Sequence, residues 1–240
     1  MNKNIYINLK MNKNSKETIE FLSNLKEMNK KFNYVIFVNY LNLINAKKFS
    51  SNQISIGAQS GYWIDNGNYT SQISIKQIAD ENIEWIMLGH SEDIKYNNLS
   101  INNINNQIQK AIENNLKIVL CFGDEVYESN IVKRINILVD KLLKLKINEI
   151  DLSNIVLAYE PIFAIGGNYQ VNVNEIIEII TNIKEYFFSN FGINLSIIYG
   201  GSVNNKNFNS LYNSKILDGV LIGSYAWNIE NICQIEEDYE

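Results

Sequence analysis

The chain is poor in several residues that usually shape a protein's chemistry. It has one proline, Pro161, one arginine, Arg134, and one histidine, His90. Its two cysteines, Cys121 and Cys233, stand far apart and outside any CxxC pair, which excludes a disulfide framework and a cysteine-based zinc site. No apolar run approaches the ~18–20 residues of a membrane span. There is no basic stripe with interleaved aromatics, and the formal net charge is −5, so nucleic acid is set aside as a partner. The dinucleotide fingerprint GxGxxG is missing, and so is a P-loop. The opening stretch MNKNIYINLK lacks an apolar signal core, so the expected setting is a reducing cytoplasm with no membrane contact.

Asn, Ile, Lys and Tyr are abundant, the signature of AT-biased coding. Against that bias a lone proline, histidine or arginine gains interest. The 240 residues are 46% hydrophobic and 20% charged, enough to bury a sizeable core in one large domain or two small ones. Short β-branched runs recur eight times: "NIYINL" (4–9), "YVIFVN" (34–39), "ISIGAQ" (54–59), "EWIML" (84–88), "KIVLC" (117–121), "IVLAY" (155–159), "SIIY" (196–199) and "GVLIG" (219–223). Each is continuous rather than alternating, as for strands covered on both faces. Between them lie stretches of helical period. Residues 16–32 place Ile19, Leu22, Leu25 and Met28 on one face, residues 173–188 do the same with Ile176, Ile179, Ile180 and Ile183, and 130–145 is a third. Eight strand–helix repeats without a linker predict an α/β fold, a single (β/α)₈ barrel over residues 1–240. A doubly wound open sheet is the alternative.

Barrels carry their reacting groups at the C-terminal strand ends. The polar residues at the ends of the runs are Asn8 and Lys10, then His90 and Glu92, then Cys121 and Asp124, then Glu160 with Pro161 beside it. The last two runs end in "YGGSV" (199–203) and in Gly223-Ser224. Glycine-containing turns there commonly bind phosphate through backbone N–H groups. Each residue alone has an ordinary explanation: a partly buried histidine, a surface lysine, a solvated strand-end glutamate. Their shared end of different strands is what points to a site.

The residues "NLK" (8–10), "GAQ" (57–59), "LGHSE" (88–92), "AYEPIFAIG" (158–166), "YGGSV" and "DGVLIG" (218–223) resemble the triosephosphate isomerase family along nearly the whole chain. The resemblance implies interconversion of dihydroxyacetone phosphate and D-glyceraldehyde 3-phosphate through an enediolate, a step of glycolysis and gluconeogenesis, without metal or organic cofactor. It implies Glu160 as the base, His90 as a neutral hydrogen-bond donor at the start of a helix turn, and Lys10 as the enediolate's counter-charge. Asn8 would help orient the substrate, and Gly166, Ser202, Gly223 and Ser224 would hold its phosphate. Glu92, Cys121 and Pro161 would support them. Pro161 disfavours a helical backbone in the residue before it, so it would hold Glu160 extended while a lid over 161–171 begins. A homodimer is expected through the loop around 60–72, with Thr70 near the neighbour's Asn8 and Lys10.

The chain departs from the family pattern at Leu9, at Asp93 and Ile94 after "HSE", at Phe163 and 166–171 in the lid, at Ser224 in the last phosphate turn, and at 67–72 in the dimer loop. None of these removes a reacting group. Two other functions compete. A phosphate-binding epimerase or aldolase would need metal ligands or a Schiff-base lysine on a central strand. A catalytically inactive phosphate-binding barrel kept as a scaffold would lack the base, the donor or the phosphate turns.

Overall fold

A computed structural model describes residues 3–28, 30–164 and 172–239. Among them eight strands form a closed, all-parallel barrel in chain order. They are β1 (Asn4–Asn8), β2 (Asn33–Val38), β3 (Ile54–Ala58), β4 (Trp85–Leu88), β5 (Lys117–Phe122), β6 (Ile155–Tyr159), β7 (Ile197–Tyr199) and β8 (Gly219–Ile222). The barrel closes where Ile5 and Ile7 of β1 pair with Val220 and Ile222 of β8. The helices are α1 (Ser15–Glu27), α2 (Tyr40–Lys47), α3 (Ile75–Asp80), α4 (Ser91–Asn97), α5 (Ile101–Glu113), α6 (Ile131–Lys144), α7 (Val173–Phe191), α8 (Asn205–Tyr212) and α9 (Ile229–Asp238). Short 3₁₀ turns at Ile162–Ala164 and Ser224–Trp227 come after β6 and β8.

The core has two layers, separated by the strands' two-residue period. Tyr6, Val35, Phe37, Trp85, Met87, Val119, Cys121, Ala158, Ile198 and Leu221 fill the barrel interior as one buried cluster. The intervening strand residues face outward and pack against the helices in a larger cluster, with Ile7, Ile36, Leu88, Leu157 and Ile222 among them. This layering positions the site. Two residues beyond interior Tyr6 stands Asn8, and two beyond interior Ala158 stands Glu160. Both therefore turn inward at the barrel's C-terminal mouth.

The first helix is shorter than its sequence period predicts. It stops at Glu27, and the backbone is already extended at Met28 (ψ 148°). Its buried residues are Thr18, Phe21, Leu22 and Leu25, while Ile19 is exposed. The apolar stripe is centred one position away from the Ile19–Met28 row, because Phe21 rather than Ile19 meets the barrel wall. The predicted stripe of α7 is observed, with Ile176, Ile179, Ile180 and Ile183 all buried.

Asparagine, the residue that the coding bias supplies in excess, is used to start helices. Asn14, Asn130, Asn172, Asn204 and Asn228 each accept a backbone N–H at the head of α1, α6, α7, α8 and α9. Such a cap is worth about 1 kcal/mol over alanine. Asn82, Asn98 and Asn115 take the left-handed backbone that asparagine tolerates better than most side chains.

Candidate active site

The mouth opens into a cavity of about 350 Å³ whose walls include Asn8, Lys10, His90 and Glu160. Ser202, Gly223 and Ser224 line the same cavity from β7 and β8. Of the residues read from the sequence as substrate-contacting, only Gly166 is not placed there. It lies, with the rest of 165–171 of the expected lid, outside the described residues.

Glu160 is 3% exposed. Its backbone N–H donates to the Phe122 carbonyl at 2.8 Å, which anchors the segment leaving β6 to β5. Gly123 then leaves room for it: a Cβ added there would lie 1.7 Å from the Glu160 carbonyl oxygen. We expect Gly123→Ala to displace this segment at a cost of about 3 kcal/mol, the order of an overpacked core position. A thermal melt checks it, and an unchanged melting temperature would mean that the two segments separate freely.

Burial pushes the Glu160 carboxyl above the ordinary carboxylate range, with His90, then Lys10 and the Cys121 thiol, pulling the other way. Cys121 Sγ lies 3.8 Å from Glu160 Oε1. Burial, then the Glu160 charge, pushes the thiol's own pKa well up, so it stays protonated and donates.

His90 reaches the mouth because Gly89 takes a left-handed backbone (φ 70°) just before it. Strict alternation after interior Met87 would have turned His90 outward. His90 also caps α4: its Nδ1 accepts the Glu92 backbone N–H at 3.3 Å. An accepting nitrogen carries no proton, so in the neutral ring the proton sits on Nε2. That nitrogen faces Glu160 Oε1 at 3.8 Å. A donor and a carboxylate thus stand side by side on the wall of one cavity, where both can meet the same small molecule.

Lys10 has a left-handed backbone (φ 48°), with its N–H on Asn8 Oδ1 at 2.9 Å. Its Nζ pairs with Glu92 Oε1 at 2.8 Å, so Glu92 holds the ammonium at the rim. Gln59 belongs to one of the family motifs, but sequence reading gives it no role. Its amide nitrogen reaches the Lys10 carbonyl at 3.0 Å and Asn8 Oδ1 at 3.3 Å, so it braces both residues. The Trp227 indole N–H donates to the Asn8 carbonyl at 3.3 Å from the turn after β8. Gln59 carries a sequence signal in its GAQ motif at the end of β3, whereas Trp227, well beyond the end of β8, carries none. Asp93 accepts from the Ser60 hydroxyl and from the Asn97 side-chain amide, each at 2.6 Å.

On the far side of the cavity Ser202 is left-handed (φ 47°), and its carbonyl accepts from the Asn204 and Asn207 side chains at 3.1 and 3.2 Å. That turn leads directly into the start of α8. Among the described residues no group of three or more His, Cys, Asp or Glu side chains is placed to hold a metal ion. No described helix is long and apolar enough to cross a membrane.

A closed eight-stranded parallel barrel with titratable groups gathered at its C-terminal mouth is the architecture of a (β/α)₈-barrel enzyme. The family model for triosephosphate isomerase matches residues 3–239. Relatives named triosephosphate isomerase include those of Alkaliphilus oremlandii, 31% identical over 95% of this chain and 96% of the relative, and Ureaplasma parvum, 33% identical over 95% of each. A third, from Mesomycoplasma hyorhinis, is 30% identical over 98% of each. The chain belongs to the triosephosphate isomerase family and is an isomerase by that membership.

Proposed function

We propose that this chain, acting as one barrel domain over 1–240, interconverts dihydroxyacetone phosphate and D-glyceraldehyde 3-phosphate by moving a proton between adjacent carbons. Glu160 removes the proton from the carbon next to the carbonyl and returns it to the neighbouring carbon. The His90 Nε2–H donates to the substrate oxygens, where charge develops. Lys10 faces the enediolate with a full positive charge, and Asn8 orients the substrate. Backbone N–H groups of Ser202, Gly223 and Ser224 receive the phosphate, helped by the Ser202 hydroxyl. The observation that carries this reading is the 3.8 Å approach of His90 Nε2 to the buried Glu160 carboxylate, inside a cavity that Lys10 also lines. A dry site raises the basicity of Glu160 and strengthens the pull of Lys10 on a developing oxyanion. A coupled assay with glyceraldehyde 3-phosphate on the purified chain tests it. No observation favours the scaffold alternative.

We further propose a cytoplasmic homodimer built through the loop around 60–72. Cys121 and Cys233 are free thiols, which fits a reducing compartment. The loop is closed at its base by Tyr62 N–H to the Ile73 carbonyl and Ile75 N–H to the Tyr62 carbonyl, at 2.8 and 2.9 Å. Tyr62 packs on Trp63 and Tyr69. Residues 66–73 are exposed. Beside the mouth Met11 is 95%, Leu41 88% and Tyr96 72% exposed, an apolar surface suited to a neighbour's loop. Tyr69→Asp is expected to lower the dimer fraction and the specific activity together, as read by sedimentation and initial rates. A fully active monomer would exclude this assembly.

A further inference from the structure

The chain's single arginine is buried, 1% exposed, and is shared by four segments around Glu160. It projects from α6. Its Nε donates to Asp124 Oδ2 at 2.6 Å and its Nη2 to the Tyr159 hydroxyl at 2.8 Å. Its Nη1 donates to Glu175 in the first turn of α7. The Tyr159 hydroxyl in turn donates to Asp124 Oδ1 at 3.1 Å, closing a buried ring of hydrogen bonds. The guanidinium plane also lies 5.1 Å from the Phe163 ring centroid and 5.6 Å from that of Tyr127. The Asp124 backbone carbonyl accepts from Ile162 N–H at 3.0 Å and Phe163 N–H at 3.4 Å.

These contacts meet on both sides of Glu160 in the chain. Tyr159 precedes it, and Ile162 and Phe163 come after Pro161. Along β6 the side chains alternate, so gripping Tyr159 on the outer face of the barrel fixes the direction in which Glu160 enters the mouth. We propose that Arg134 is a positioning residue for Glu160. It holds the β5 and β6 strand ends and the head of α7 in one register, so that the carboxylate is delivered to the reacting carbon. This rests on the reading of Glu160 as the base. The geometry explains the choice of arginine: three acceptors on three segments need the planar fork of a guanidinium, which a lysine ammonium does not offer.

Positioning acts on turnover more than on phosphate binding, because the proposed phosphate donors among the described residues, Ser202, Gly223 and Ser224, follow β7 and β8, and the cluster's hydrogen bonds go to Asp124, Tyr159 and Glu175 instead. Tyr159→Phe removes one hydroxyl and keeps the ring, and it is expected to lower kcat about tenfold. Arg134→Met removes the whole node and is expected to lower kcat about 100-fold, the scale of an ~1 Å misplacement. In both variants KM and the inhibition constant of inorganic phosphate should stay within about twofold of the parent, which a general loosening of the barrel would not preserve. Rates are compared well below each variant's melting temperature. If Arg134→Met does not fold, Tyr159→Phe decides alone. A folded Tyr159→Phe enzyme with unchanged kcat, or one whose kcat loss comes with an equal loss of phosphate affinity, overturns the proposal. Glu160→Gln is run in parallel. If it keeps its turnover, the base assignment fails; if it is inactive while Tyr159→Phe is unaffected, only the positioning role of Arg134 fails.

Discussion

Glu160→Gln should lower kcat by about 10³-fold, within the 10²–10⁴-fold range of general acid–base catalysis, and leave the inhibition constant of inorganic phosphate nearly unchanged. The amide keeps the shape of the side chain and its place beside Gly200 but accepts no proton. The same variant should melt at a higher temperature than the parent at pH 7. Glu160 is buried, and its folded-state pKa lies above the ordinary carboxylate range. Between the unfolded and folded values the folded chain therefore holds a proton that the unfolded chain has released. The contribution of Glu160 to stability is then greatest below the ordinary carboxylate range and falls as pH rises through that window. Gln carries no such loss, so the difference in melting temperature should shrink toward pH 4. Activity runs the opposite way. The parent's kcat/KM should fall as pH drops through the raised Glu160 pKa, above the ~4.3 of an unperturbed glutamate, because only the ionised base takes a proton. A Gln variant with near-normal turnover would place the base elsewhere.

Lys10→Met should lower kcat/KM by about 10²–10³-fold, the cost of removing one preorganised charge from a developing oxyanion. Stability should hardly move. The Lys10–Glu92 pair sits at the rim, with the Glu92 side chain 45% exposed, so the carboxylate left behind is solvated. Pairs of that kind contribute about 0–1 kcal/mol. Initial rates and a thermal melt of the same preparation separate the two effects. A kcat/KM within about threefold of the parent would reduce Lys10 to one of the many surface lysines.

Much of this arrangement is legible in the chain alone, and the reasons are local. A parallel barrel strand is apolar on both faces, so the eight runs stand out without alternation. The parity of a strand then carries Tyr6 to Asn8 and Ala158 to Glu160, so strand ends can be read as a set of inward groups. Pro161 and His90 are visible because the composition disfavours their residue types. Asp124 is collected with the strand ends, but its partners are out of reach of a sequence reading. Arg134 is 10 residues away on a helix, and Tyr159 is 35 residues away on the next strand. Nothing in their spacing announces a ring of hydrogen bonds. The overlong first helix has a similar cause. Lysine and asparagine beyond Glu27 suit a helix surface well enough that only the extended backbone at Met28 ends it. Asparagine misleads in the other direction, because a residue that reads as loop filler is the cap of five helices.

Glyceraldehyde 3-phosphate incubated with the purified chain in D₂O, with the products monitored by proton NMR, tests the central claim most directly. A carboxylate base that lifts the proton from one carbon and returns it to the next exchanges part of it with solvent. The expected result is rapid formation of dihydroxyacetone phosphate, part of it carrying one deuterium at the carbon that received the proton, and loss of that conversion in Glu160→Gln. Absence of conversion in the parent, or equal deuterium incorporation in the Glu160→Gln variant, would contradict it.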